Sequence, residues 1–189
     1  AAESLDDHGR DVAGRIFGRM EQVLFRMKRG VSLLREDSRV AESFRLANQA
    51  MLEQMMQTDR IRNRLRDKST YKWRPFQLAF LLTVLESTVR EDDEFRDTVD
   101  LIWFPTGGGK TEAYLGIIAF TMSLRRLRGY DSETKEHSVK SYGISVIMRY
   151  TLRLLTVQRF QRASLLMCAC EYIRRSEKNP NSDILKWGD

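Results

Sequence analysis

The segment Phe104-Pro105-Thr106-Gly107-Gly108-Gly109-Lys110-Thr111 combines side chains and spacing suited to holding a chain of phosphates. Successive glycines let backbone N–H groups turn inward around the β- and γ-phosphates of a nucleotide, a lysine adds a compact positive charge, and the next threonine hydroxyl is a ligand for Mg²⁺. A helix beginning at Lys110 would also point its positive end at the anion. These requirements mark Thr106, Gly107, Gly108, Gly109, Lys110 and Thr111 as a binding set for ATP and Mg²⁺. Lys110 and Thr111 stand nearest the chemistry, and Thr111 is the metal ligand. A Gly-x-Gly-Lys string followed by Ser or Thr arises by chance roughly once in three hundred chains of this composition. Phe104 occupies the place, six residues before the lysine, where the strict pattern has glycine.

Such a loop needs an element in front of it and another behind. Thr98 to Phe104 (TVDLIWF) is short, β-branched and aromatic and stops at Pro105, which predicts a buried strand. Lys110 to Arg128 is almost wholly apolar over Ala113 to Leu124 and closes at Leu127-Arg128-Gly129, which predicts a helix. Beyond a polar loop at 130 to 141, Gly143 to Met148 (GISVIM) predicts a second buried strand and Leu152 to Arg175 a long helix. Alternating strands and helices predict an α/β fold with a parallel sheet covered on both faces.

Upstream, Val12, Ile16, Met20, Val23, Leu24 and Met27 recur at helical spacing, and Lys28-Arg29-Gly30 carries the signals that close a helix. A second helix from about Asp37 has Val40, Phe44, Ala47, Met51 and Met55 on one stripe, read as core. A third runs from about Phe76 to Val89. The acidic run Glu91-Asp92-Asp93-Glu94 reads as a solvated connection. Residues 1 to 69 therefore form a helical lead-in and 70 to 189 the part that holds the loop.

The chain has 189 residues, 42% hydrophobic and 31% charged, the profile of a soluble folded protein of one or two small domains. No apolar run approaches the ~18 residues of a membrane-spanning helix, so no membrane partner is expected. The 32 basic against 26 acidic residues leave +6. Residues 149 to 175 concentrate it, with Arg149, Arg153, Arg159, Arg162, Arg174 and Arg175 against Glu171, which favours a nucleic-acid partner. Cys168 and Cys170 lie two apart in a helical pattern and cannot bridge, so a reducing cytoplasm is the expected location. The first residues are Ala-Ala-Glu, with no basic segment and apolar core behind them, and the reading is a piece of a longer protein without a signal peptide.

The form x-Pro-Thr-Gly-x-Gly-Lys-Thr resembles motif I of superfamily 2 helicases and translocases. Arg74-Pro75-Phe76-Gln77 resembles the R-x-x-Q element in which, in that superfamily, the glutamine amide reads the adenine edge. Tyr150 to Gln158 (YTLRLLTVQ) follows the second predicted strand and is similar to motif Ia, in which Arg153, Leu155 and Gln158 match while Thr151 and Leu152 replace Pro-Thr. The resemblance implies nucleotide contacts from Arg74 and Gln77 and nucleic-acid contacts from Arg149, Thr151, Arg153 and Gln158. It also implies a RecA-like ATPase lobe, here a partial first lobe.

One family is matched more fully. FPTGGGKTEAYLG and MRYTLRLLTVQRFQRA, with SFRLANQAM upstream, are similar to the DrmA helicase subunits of the DISARM phage-defence systems over residues 40 to 175. That resemblance implies an ATP-driven DNA helicase or translocase working with a DrmB-like partner subunit against invading DNA. The later Asp-Glu motif and the arginine fingers of such motors have no counterpart in these residues. A nucleotide-dependent switch or kinase, with the loop but without a nucleic-acid track, is the competing reading.

Overall fold

The computed structural model describes residues 6–64, 66–105, 108–131, 133–134, 138–149 and 157–176. Five helices carry the fold: α1 (Asp7–Glu36), α2 (Ser38–Ile61), α3 (Pro75–Val89), α4 (Lys110–Gly129) and α5 (Val157–Arg175), with single 3₁₀ turns at Lys68–Thr70 and Val139–Ser141. None of them is long and apolar enough to cross a membrane.

Gly30 does not end the first helix as its sequence signals suggest. The chain stays helical to Glu36, and Gly30 marks where α1 crosses α3, since a Cβ there would collide with the Leu82 carbonyl. The break falls at Asp37, an extended residue whose N–H donates to the Leu33 carbonyl and whose carboxylate accepts from the N–H groups of Arg39 (2.9 Å) and Val40 (3.1 Å). One residue thus closes α1 and caps α2.

The α2 stripe faces inward as expected. Val40, Ala47 and Met51 are buried, and Phe44 meets the fully buried Phe120 of α4 edge-on, with ring centroids 6.5 Å apart. α2 is the central helix, packed on both α4 and α5, while α1 lies along α3. Leu85 and Val89 of α3 and Leu166 and Ile173 of α5 complete one apolar core. At about 25 cal/mol per Å² of apolar surface removed from water, that shared core is the main stabilising term.

The acidic run is solvated at Glu91, Asp92 and Glu94, as expected, but not at Asp93. Arg29 of α1 bonds Glu86 and Asp93, each at 2.6 Å, and Glu94 at 3.0 Å, which leaves the Asp93 carboxylate 1% exposed. Beside it the buried Arg26 forks onto Asp100 at 2.6 and 2.7 Å, and the Phe95 ring lies under both guanidinium groups. Charge pattern alone hides this arrangement, because the partners come from a helix more than sixty residues earlier.

The α/β expectation is overturned: the described residues contain no strand and no sheet, and their regular elements are all helical. The segments expected to be strands, 98–104 and 143–148, are irregular, with Val99 92%, Leu101 85%, Trp103 87% and Ile147 82% exposed. A β-branched, alternating sequence supplies only one side of a strand. A strand exists when a second backbone lies about 4.8 Å away to take its hydrogen bonds, and no described residue fills that place. Helix faces bury the core instead. With the sheet falls its RecA-like, P-loop version. The expected first turn of α5, from Leu152, lies outside the described residues.

Burial pushes the Asp37 carboxyl up, but hydrogen bonds from Val40, from Arg128 (3.2 Å) and from Arg39 outweigh it and hold the group below the ordinary carboxylate range. Asp37→Ala should therefore cost about 1–2 kcal/mol of stability. Because the native group titrates low, its contribution is present above the unfolded-state value and fades as pH falls through the folded one. The gap in melting temperature between wild type and variant should shrink on acidification; a gap independent of pH would contradict the capping role.

Candidate functional site

The start of α3 fixes the glycine-rich loop. Trp73 donates its indole N–H to Asn48 of α2 at 2.6 Å, which anchors the residues just ahead of α3. Pro75 is the first helical residue, where its missing N–H costs nothing. The buried Gln77 accepts from the Arg74 N–H at 2.8 Å and donates to the Gly109 carbonyl at 2.7 Å, while the Arg74 guanidinium donates to the Gly108 carbonyl at 2.8 Å. Phe76 stacks on Phe104 with ring centroids 4.0 Å apart and planes 13° from parallel. Arg74, Phe76 and Gln77 are thus each placed against the loop.

The loop then turns into α4. The Gly108 N–H donates to the Pro105 carbonyl at 3.1 Å, and Gly109 caps the helix in the left-handed region with φ of +93°. Lys110 reaches back and donates to the Phe104 carbonyl. Phe104, the residue that departs from the strict pattern, therefore contributes both a ring that props the loop and a carbonyl that holds the lysine. Thr111 and Glu112 follow in the first turn. Glu112 accepts from Arg162 of α5 at 2.8 Å through Oε1, whereas its buried Oε2 has no hydrogen-bond partner among the described residues.

Beside this loop opens a cavity of about 380 Å³ bordered by Gln77, Gly109 and Glu112 and by the end of α2. Arg62, Arg66, Lys72, Arg74 and Arg162 line it against only two carboxylates, Asp59 and Glu112. Asp59 is already committed: it accepts from Arg66 (2.8 Å) and the Tyr71 hydroxyl (2.9 Å), and these bonds overcome its burial and keep it below the usual carboxylate range. The cavity is left with a surplus of cationic donors, the chemistry of an anion site. A separate cavity of about 260 Å³ between α2, α4 and α5 is apolar. There burial, with Arg174 nearby, lowers Arg126 to about 10, and burial raises the Cys170 thiol to about 11.

Of the residues singled out from sequence, Arg74, Gln77, Gly108, Gly109, Lys110 and Thr111 come together. Thr106, Gly107, Thr151 and Arg153 lie outside the described residues. Gln158 stands in the first turn of α5, and Arg149 is exposed at the end of the second irregular segment, which Arg125 holds by donating to the Ile144 carbonyl at 2.7 Å. The basic stretch is partly spent within the chain. Arg174 and Arg175 bind Glu171, and the Arg174 bond above all holds that carboxyl down at about 2; Arg162 is paired with Glu112. Sequence reasoning missed Glu112, Asp59 and Tyr71. Glu112 directly follows Lys110-Thr111, a signal that could have found it; Asp59 and Tyr71 carried none.

Gly109→Ala should speed hydrogen exchange at the first turn of α4 by roughly tenfold, because a side chain at left-handed φ costs on the order of 1–2 kcal/mol. The new Cβ would also stand 2.7 Å from Gln77 Nε2. Unchanged exchange would mean that the Gln77 contact does not hold the loop.

No family model matches the chain. Against curated proteins it is 39% identical over 176 residues to the DISARM protein DrmA of Bacillus paralicheniformis (strain ATCC 9945a / NCIMB 11709 / CD-2), a match covering 88% of this chain. The chain spans about 15% of that relative's length. On that match the chain is similar to one part of a DISARM DrmA protein.

Proposed function

We propose that this chain carries the nucleotide-binding part of an ATP-driven DNA helicase or translocase that serves DISARM defence against phage DNA, in the cytoplasm and with a DrmB-like partner subunit. The observation that carries the reading is the Gly108-Gly109-Lys110-Thr111 turn, fastened by Arg74 and Gln77 and opening beside a cavity rich in cationic donors. The similarity to a DISARM DrmA protein supports the defence role.

The residues present fit ATP with Mg²⁺. The cavity offers more cationic donors than its own carboxylates use, and the loop ends at a helix N-terminus. Lys110 exchanges the Phe104 carbonyl for phosphate oxygens, a modest step because a carbonyl is a weaker partner for an ammonium than a phosphate. Thr111 offers its hydroxyl to the metal, and the metal, when bound, neutralises charge developing on the phosphates. The Gln77 amide has one N–H and one lone pair left after its contacts with Arg74 and Gly109, enough for the adenine edge. Arg149, Thr151, Arg153 and Gln158 follow in the order expected of a phosphate-tracking segment, which supports DNA as the second partner.

In the full-length protein, Lys110→Ala should abolish ATP turnover while leaving the fold intact, since the side chain packs into no core. Turnover within twofold of wild type defeats the assignment. Arg149→Ala and Arg153→Ala should each weaken DNA binding for every sequence and lower the log–log salt slope by about 0.7–0.9. Hydrolysis indifferent to nucleic acid would instead favour a nucleotide-dependent switch.

A further inference from the structure

We infer that Arg162 is a positioning residue that lets α5 respond to the nucleotide, an inference that rests on the loop and its cavity being a nucleotide site. The sequence groups Arg162 with the basic residues of a nucleic-acid track. The structure turns it the other way, onto Glu112, the third residue of α4, immediately behind Lys110 and Thr111.

Three features of this contact argue for more than a surface ion pair. Both partners border the 380 Å³ cavity together with Arg74, Gln77 and Gly109. Among the described residues the pair is held through one hydrogen bond, Arg162 Nη1 to Glu112 Oε1, while the buried Glu112 Oε2 has no partner. A guanidinium has five N–H donors in a fixed fork, so most of its donors remain for an anion in the cavity or for that second oxygen. Finally, α5 packs chiefly on α2 and only lightly on α4, so the Arg162–Glu112 bond links α5 directly to the first turn of α4. Glu112 holds one edge of Arg162 at the cavity wall, phosphate oxygens of the nucleotide engage the free edge, and the start of α5 is steadied against the first turn of α4 when the cavity fills. The helix that is steadied is the one that carries Gln158, so nucleotide occupancy is passed to the segment proposed to follow DNA.

The test uses the full-length protein with Mg²⁺ and a non-hydrolysable ATP analogue, read by hydrogen exchange over α5. In wild type, the analogue should slow exchange of the α5 amides by roughly tenfold. Arg162→Ala should still bind the analogue, with affinity reduced by no more than about tenfold, and lose that slowing; Glu112→Gln should do the same, and the double variant should be no worse than either single one. Arg162→Lys keeps the charge without the fork and should recover part of the effect, which a merely misfolded Arg162→Ala would not lead one to expect. Slowing of α5 exchange in Arg162→Ala equal to wild type at saturating analogue overturns the inference, as does its absence from wild type. Lys110→Ala separates this from the underlying reading: analogue binding undiminished in that variant means the nucleotide site itself is misassigned.

Discussion

Two backbone carbonyls, those of Gly108 and Gly109, are held by side chains from the opening residues of α3. Such a loop cannot hold its own shape. Glycines lose more conformational freedom on ordering than any other residue, on the order of 1–2 kcal/mol each for the backbone. Gly109 sits at φ +93°, a state a bare chain visits only as one of many. External donors change that balance: a buried amide and an arginine tie down the carbonyls, so the N–H groups on the opposite side of the same peptides face a fixed direction. Orientation of the donors is therefore settled before any anion arrives, which is the condition for electrostatic stabilisation without a reorganisation cost.

That clamp is only as firm as α3, and α3 is held from both ends. At its start, Trp73 binds Asn48, which fastens it to α2. Along its length, α1 crosses close enough that only glycine fits at position 30. At its far end, Arg128 of α4 donates to the Val89 carbonyl at 2.7 Å and reaches Asp37 as well, so the C-terminus of the loop's own helix is tied back to the helix that clamps the loop. The buried Arg26 and the half-buried Arg29 act on the same stretch of chain from the other side. Buried ion pairs add little net stability over apolar packing, but removing one partner strands the other at a cost of roughly 3–5 kcal/mol. Their effect is on geometry: Asp93 and Asp100 fix where the chain leaves α3 and heads for Phe104.

The helices were readable in the sequence because each carries its own period. The α2 stripe, Pro75 and Leu127-Arg128-Gly129 are local signals, and the structure follows them. Gly30 misled because helix-stop chemistry and close helix crossing call for the same residue, and only the position of Leu82 distinguishes them. Thr98 to Phe104 misled for a different reason. Strand formation is a property of two segments, and a sequence window contains one. The loop residues were readable since their function is set by type and order, whereas Asp59, Tyr71 and Arg162 reach the cavity only through tertiary packing. Family resemblance succeeded where fold inference failed because identity compares residues one by one and asks nothing of the backbone between them.

The arginine surplus makes the same point about charge. Counted along the chain, residues 149 to 175 form a basic block. In space the block divides: Arg174 and Arg175 close on Glu171 at the end of α5, Arg162 faces Glu112 and the cavity, and Arg149 stands exposed. Arginine suits all three duties because its planar fork can pair a carboxylate on one edge while presenting donors on another. A lysine block of equal charge could not be shared in this way, since a compact ammonium offers no second fixed edge. The preference for arginine over lysine therefore reflects how many contacts each cation must serve at once as much as how much positive charge the surface needs.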